Sequence, residues 1–324
     1  EGAAEMGWLG AVIPEEFGGA GFGYFEMVLI AEEIGRSLAP IPFSSSHIAA
    51  ESILKYGRRD QQSALLPGFA DGSKIGTVAL AEGSGVVRAD NVKTTYRNGT
   101  VSGRKIAVSD GLCATHALVA ATTGSGNVMV LVDLAGTGVV RDATESIDPT
   151  RQCATLSFDN AKGELIGDED NGWQQLQNVL DRGAVVQAFE QVGGAARAME
   201  ITKAQILERY AFGRQIGSFQ AIKHRMADLY AAIELARSNC FYGAWALAND
   251  ADDLGLAAAT ARVSASDAFN LAAQEMIQLH GGVGFTWEYD CHMFYRRAQH
   301  LGLMLGAANE WRDKLVDHLA AQAA

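Results

Sequence analysis

Apolar positions change their spacing along this chain, and the changes divide it into three zones. In the first, residues 1–75, Met27, Ile30, Ala31 and Ile34 recur at helical spacing and predict a helix over Phe25–Ser37. Shorter helices fit His47–Tyr56 and Asp60–Phe69, and Ala39-Pro40-Ile41-Pro42 breaks the run, because proline restricts both itself and its predecessor. In the second zone, residues 76–168, the pattern turns to short runs rich in Val, Thr and Ile. These predict strands at Gly76–Leu80, Asn91–Arg97, Thr100–Val108, Ala117–Ala121, Asn127–Asp133 and Ala154–Phe158. Turn signals such as Arg97-Asn98-Gly99 make this an antiparallel domain of hairpins. In the third zone, residues 169–324, Ile222, Met226, Leu229, Ile233, Ala236 and Cys240 are spaced 4, 3, 4, 3, 4, and Ala265, Phe269, Ala272, Met276 and Leu279 are spaced 4, 3, 4, 3. Such stripes belong to long amphipathic helices. Four are expected, over 170–210, 219–250, 252–280 and 291–323, packed as a bundle. The fold class is therefore α+β: N-terminal helices, a central antiparallel β-domain and a C-terminal four-helix bundle.

Composition sharpens this division. The five prolines are Pro14, Pro40, Pro42, Pro67 and Pro149, so the strongest helix breaker is missing from the whole third zone. With 26 basic and 38 acidic residues the formal charge is −12. No basic run is visible, which argues against a nucleic-acid partner and against affinity for anionic membranes. A hydrophobic share of 48% over 324 residues excludes a wholly disordered chain. No stretch approaches the roughly 20 apolar residues of a membrane span, and no signal-peptide pattern opens the chain. Its first residues, Glu1-Gly2-Ala3-Ala4-Glu5, lack an initiating Met, and the first domain is expected to be truncated at its start. Cys113, Cys153, Cys240 and Cys291 are scattered without a CxxC pair, as expected of free thiols in a reducing cytoplasm.

Generic motifs narrow the chemistry mainly by exclusion. A Walker A loop, an HExxH helix, an EF-hand loop and a GxSxG elbow are all absent from the sequence. The histidines show no metal-ligand spacing, so no metal site is expected. Gly281-Gly282-Val283-Gly284 follows a helix rather than a strand, which is not the Rossmann arrangement. His280, between a helix end and that turn, reads as a structural histidine.

Longer segments resemble one flavoprotein family. Gly7-Trp8-Leu9 with Pro14-Glu15-Glu16-Phe17-Gly18-Gly19, Arg209-Tyr210-Ala211-Phe212-Gly213 followed by Gln220-Ala221, and Gln278-Leu279-His280-Gly281-Gly282-Val283-Gly284-Phe285 are similar, at matching separations, to the acyl-CoA dehydrogenases. The resemblance implies FAD bound in extended form at a subunit interface. It implies that Arg209 contacts the pyrophosphate region, where a fixed guanidinium suits phosphate oxygens. Phe212 would offer an apolar wall, Phe219 and Gln220 would approach from the partner subunit, and Gln278, Gly281 and Gly282 would line the dinucleotide. Ser109 would offer a hydroxyl near the flavin edge, although Ala107 stands where the family carries an aromatic residue. Homotetramer or heterotetramer assembly, an acyl-CoA substrate and an electron-transfer flavoprotein as acceptor are implied too. For the anionic CoA, Arg88, Lys93, Arg97 and Lys105 are candidate contacts.

The resemblance fails at the catalytic base. The family removes the α-proton of an acyl-CoA with a carboxylate while the β-hydride passes to the flavin. Its C-terminal glutamate position falls at Leu305, its alternative position on the first bundle helix falls at Gly183, and an adjacent arginine falls at Ala184. Asp181, Glu190 and Glu310 are the nearby acids, each of a kind that more often forms ion pairs or solvates a helix. Three readings follow: an FAD-dependent dehydrogenase of an acyl-CoA, possible substrates including bulky or steroid-derived acyl groups, with an unconventional base; a non-catalytic partner subunit of a heteromeric dehydrogenase; and a flavin monooxygenase on the same fold.

Overall fold

The computed structural model describes residues 2–323. Among the described residues, four α-helices come first: α1 (Gly2–Glu5), α2 (Tyr24–Arg36), α3 (Phe43–Tyr56) and α4 (Arg59–Ala70). Seven strands follow: β1 (Gly76–Ala79), β2 (Thr95–Arg97), β3 (Thr100–Val108), β4 (His116–Thr122), β5 (Asn127–Asp133), β6 (Val139–Thr144) and β7 (Cys153–Ile166). The rest is helical apart from one small hairpin: α5 (Gly172–Glu208), β8 (Tyr210–Ala211), β9 (Arg214–Gln215), α6 (Gln220–Ala248), α7 (Leu254–His280), α8 (Cys291–Leu303) and α9 (Ala308–Ala323). The chain groups into two compact units. One holds the residues up to Met27 with Pro40–Gly183; the other holds Val28–Ala39 with the residues from Ala184 on.

In the first unit the strand pairings close on themselves, running β4–β2–β3–β7–β5 and back to β4. Val119, Val130, Leu156 and Phe158 fill the interior. Most pairs are antiparallel, as the hairpin signals predict, but β1 and β2 each run parallel to β4. The reason is connectivity: β1 reaches β4 only through residues 80–115, and parallel neighbours require such a crossover. The strand expected over Asn91–Arg97 is shorter, because Asn91 instead closes a 3-10 turn whose side chain accepts the Arg88 N–H at 2.9 Å. Strand β6 was not foreseen; it is an edge strand of mostly exposed residues and shows no apolar alternation. Strand β7 runs beyond Phe158 because Asn160, at φ 50°, absorbs a register shift against β3.

In the second unit the long helices follow the expected stripes, with Leu229, Ile233, Ala236 and Cys240 buried on α6 and Ala265, Phe269, Ala272 and Met276 buried on α7. The fourth expected helix, 291–323, is corrected to two, α8 and α9, separated at Met304–Ala307. Leu305 (φ 58°) and Gly306 (φ 105°) are left-handed there, which no continuing α-helix allows.

Residues 28–36 of α2 lie against α5 backbone to backbone. A Cβ on Gly35 would fall 1.8 Å from the Glu190 carbonyl oxygen, and one on Gly193 would fall 2.0 Å from that of Glu32. Neither carbonyl can yield without giving up its helix. Gly35→Ala is therefore expected to destabilise by about 1–3 kcal/mol or more, although helix propensity alone would favour alanine. Urea unfolding checks the sign: an unchanged or raised midpoint contradicts the crossing.

Candidate active site

At one end of the second unit the structure brings together most of the residues that the resemblance picks out. Ile206 of α5, Ile216 beyond β9 and Leu279 of α7 form an apolar knot, with Phe219, Ile222 and Met226 packed against it. This knot fixes three segments: the end of α5 with Arg209, the start of α6 with Gln220, and the end of α7 with Gln278. Arg209 extends one guanidinium nitrogen to the His280 carbonyl and lies on Gly281. A Cβ there would stand 2.7 Å from Arg209 Nη1, and Gly281 has φ 67°, so close approach and left-handed backbone both require glycine. Beyond Gly282 there is open space. Phe212, also left-handed at φ 53°, is 95% exposed and meets Phe219 edge-on at 6.2 Å. The Arg214 guanidinium covers the Phe219 ring at 4.0 Å. Arg209, Gln220 and Gln278 are exposed. Together these groups offer a cation, polar amides, an exposed aromatic face and an unobstructed glycine turn. That donor set fits the phosphate and nucleoside part of FAD.

His280 is structural. It is buried, its Nδ1 pairs with the Met276 carbonyl at 2.6 Å, and burial pushes it below the usual histidine range. His47 and His116 are lowered by burial as well. A histidine that is harder to protonate when folded gives its full stability above its unfolded value near 6.5, and loses it as pH falls below that value. Stability is thus expected to decline below about pH 6.5, at up to roughly 1.4 kcal/mol per pH unit for each histidine. Urea midpoints at pH 7.5 and 5.5 measure this; equal midpoints contradict it.

Ser109, in the first unit, is half-buried after β3, and its hydroxyl interacts with the Cys153 thiol. Ala107 is exposed and left-handed at φ 51°. Lys105 is corrected: it is fully buried, donating to Glu82 Oε1 at 2.7 Å and to the Leu80 carbonyl at 3.0 Å, and is closed to CoA. Its partner Glu82 also accepts the Lys93 and Thr94 N–H groups. Arg88, Lys93 and Arg97 remain exposed.

The two positions where the resemblance puts the base make apolar contacts. Leu305, half-buried, packs with Ala184, Ala259, Trp311, Val263 and Leu315, and its carbonyl accepts Trp311 Nε1 at 3.1 Å. Gly183 faces Ile48 of α3. Two of the nearby acids have structural work. Glu310 accepts the Ala307 N–H at 3.2 Å and so caps α9, and buried Glu190 pairs with buried Arg297 at 3.4 Å. Asp181 is buried on α5.

Two buried clusters escaped the sequence reading. Arg262, fully buried and pushed down to about 10 by desolvation, donates to Gln191 (2.6 Å), Ser266 (2.5 Å) and the carbonyls of Leu301 (2.5 Å) and Met304 (2.8 Å). It thereby ties down the α8 end just before Leu305. In the first unit, buried Arg182 pairs through Nε with buried Glu51 and through Nη2 with the Tyr24 hydroxyl at 2.8 Å; that hydroxyl in turn donates to Glu51 at 2.7 Å. Burial, then the Glu51 charge, raise the tyrosine well above its usual range. The signal for both was a charge on an apolar row: Arg262 lies three residues before Ala265, and Glu51 lies three after Ile48 and two before Ile53.

The fold has known relatives. The N-terminal domain of the acyl-CoA dehydrogenases matches residues 1–73, and their C-terminal domain matches residues 170–319. Acyl-CoA dehydrogenase IpdE2 of Mycobacterium tuberculosis is 34% identical over 308 residues, which cover 94% of this chain and 81% of that protein. A solved variant of the Tcur3481–Tcur3483 steroid ACAD superposes with TM-score 0.91 at 33% identity, covering 99% of this chain and 88% of that one. The ChsE4–ChsE5 complex of Mycobacterium tuberculosis gives TM-score 0.88 at 27% identity, covering 98% of this chain and 86% of that one. This chain belongs to the acyl-CoA dehydrogenase family. No helix among the described residues is long and apolar enough to cross a membrane.

Proposed function

We propose that this chain is the base-free subunit of a heteromeric, FAD-dependent dehydrogenase that forms the α,β double bond of an acyl-CoA thioester. The observation that carries this reading is Leu305, which stands at the family's base position inside an apolar cluster. A leucine cannot accept a proton, and Glu310 and Glu190 are engaged in a helix cap and an ion pair. FAD, when bound, supplies the acceptor for the β-hydrogen. Of this chain's residues, Arg209 would hold the pyrophosphate, Phe212 would wall the cofactor, and Gln278, Gly281 and Gly282 would line it. Phe219 and Gln220 would reach the cofactor held chiefly by the other subunit. Ser109 would offer its hydroxyl to the flavin edge. A related subunit would supply the base, and an electron-transfer flavoprotein would take the electrons.

The steroid enzyme and the two-component complex among the similar structures support a bulky, steroid-derived acyl group and a heteromeric assembly. Exposed Arg88, Lys93 and Arg97 remain available to CoA. The visible spectrum of the chain, purified alone and after co-expression with a related dehydrogenase subunit, tests the reading. Gain of FAD and of acyl-CoA bleaching only on co-expression supports it. A yellow chain that bleaches on its own removes it.

A further inference from the structure

We propose that Ile48 shuts the second base position of the fold, so that α5 of this chain has no room for a carboxylate at residue 183. The inference rests on the base-free reading and deepens it: the absence of a base is enforced by packing as well as by composition. A Cβ built on Gly183 lies 2.3 Å from Ile48 Cγ1 and 2.6 Å from its Cδ1. Non-bonded carbons settle about 3.5–4.0 Å apart, so even a methyl group demands that Ile48 move. Ile48 cannot move easily. It is 0% exposed and lies within α3, where a β-branched side chain keeps essentially one χ1 and Cγ1 is fixed by that angle.

Helix α3 cannot retreat in its place. Arg182, the residue before Gly183, is bound to Glu51, three residues along α3 from Ile48, and the Tyr24 hydroxyl links both. Arg182 and Glu51 are both withdrawn from water, so drawing α3 away from α5 would break a buried ion pair. The closure thus has two parts, an apolar plug over Gly183 and an ionic staple beside it.

A double-mutant cycle tests this on the full-length chain, purified in the assembly it forms. In the middle of a helix Gly→Ala ordinarily stabilises. Here Gly183→Ala is expected to lower the Tm by about 2 °C or more, and to leave it unchanged or raise it when Ile48→Ala is also present. Failure of Gly183→Ala to fold, reversed by Ile48→Ala, supports the plug equally. Gly183→Glu should follow the same rule, tolerated only beside Ile48→Ala. A Gly183→Ala chain that is stabilised in the native background overturns the proposal, as does a loss that Ile48→Ala fails to relieve. The cycle reads packing alone. It is decided independently of the substrate, whereas failure of the dehydrogenase reading shows in the flavin spectrum.

Discussion

Replacing Glu51 by alanine is expected to cost about 3–5 kcal/mol, a large part of the roughly 5–15 kcal/mol that stabilises an ordinary domain. The substitution removes the carboxylate from a guanidinium that is itself 1% exposed, leaving Arg182 charged and without its anion. It also takes the acceptor from the Tyr24 hydroxyl. The penalty comes from the stranded charge more than from the lost attraction, and this can be separated experimentally. Arg182→Met combined with Glu51→Leu removes both ions together, and replacing a whole buried pair by apolar groups is often close to neutral. Urea unfolding of the single and paired variants should therefore show a large loss followed by substantial recovery. A Glu51→Ala midpoint within 0.5 kcal/mol of the parent, the usual range for a neutral surface change, would mean that the pair does not hold α3 to α5.

Co-assembly with the base-bearing subunit is expected to raise acyl-CoA dehydrogenation by about 100-fold or more over this chain alone, the contribution typical of a positioned general base. The same chain should remain slow as Leu305→Glu. Its new carboxylate would enter the apolar cluster of Ala184, Ala259 and Trp311, where burial disfavours the ionised form. Steady-state rates with one saturated acyl-CoA, for the chain alone, its Leu305→Glu variant and the assembly, check both statements. Comparable rates for chain and assembly would contradict them.

The bundle helices were legible because a 3.6-residue period repeats along α6 and α7 without a proline to interrupt it. The break between α8 and α9 was not legible. It depends on left-handed backbone at Leu305 and on Arg262 binding the Leu301 and Met304 carbonyls from another helix, and no local pattern encodes either. Strand β6 was invisible for a related reason: an exposed edge such as Val139–Thr144 need not alternate. Lys105 looked like a surface cation because its partner, Glu82, lies 23 residues earlier, in the loop after β1. The residues that the resemblance assigns to the cofactor stand out through their motifs, and the structure gathers Arg209, Phe212, Phe219, Gln220, Gln278, Gly281 and Gly282 at one end of the second unit. That neither expected base position holds an acid was readable from Leu305 and Gly183. What the sequence left hidden was its enforcement by Ile48, because a van der Waals contact between helices has no linear signature.

Proton chemistry gives the most direct measurement. An acyl-CoA bearing α-hydrogens, incubated in D2O with this chain alone and free FAD added to the solution, should gain no deuterium above a blank of free FAD, because neither Leu305 nor Gly183 offers a base. The assembled complex should exchange that position readily. Mass spectrometry of the recovered thioester reads both. Deuterium uptake by this chain alone, at a rate matching the assembly, would show that it carries its own base.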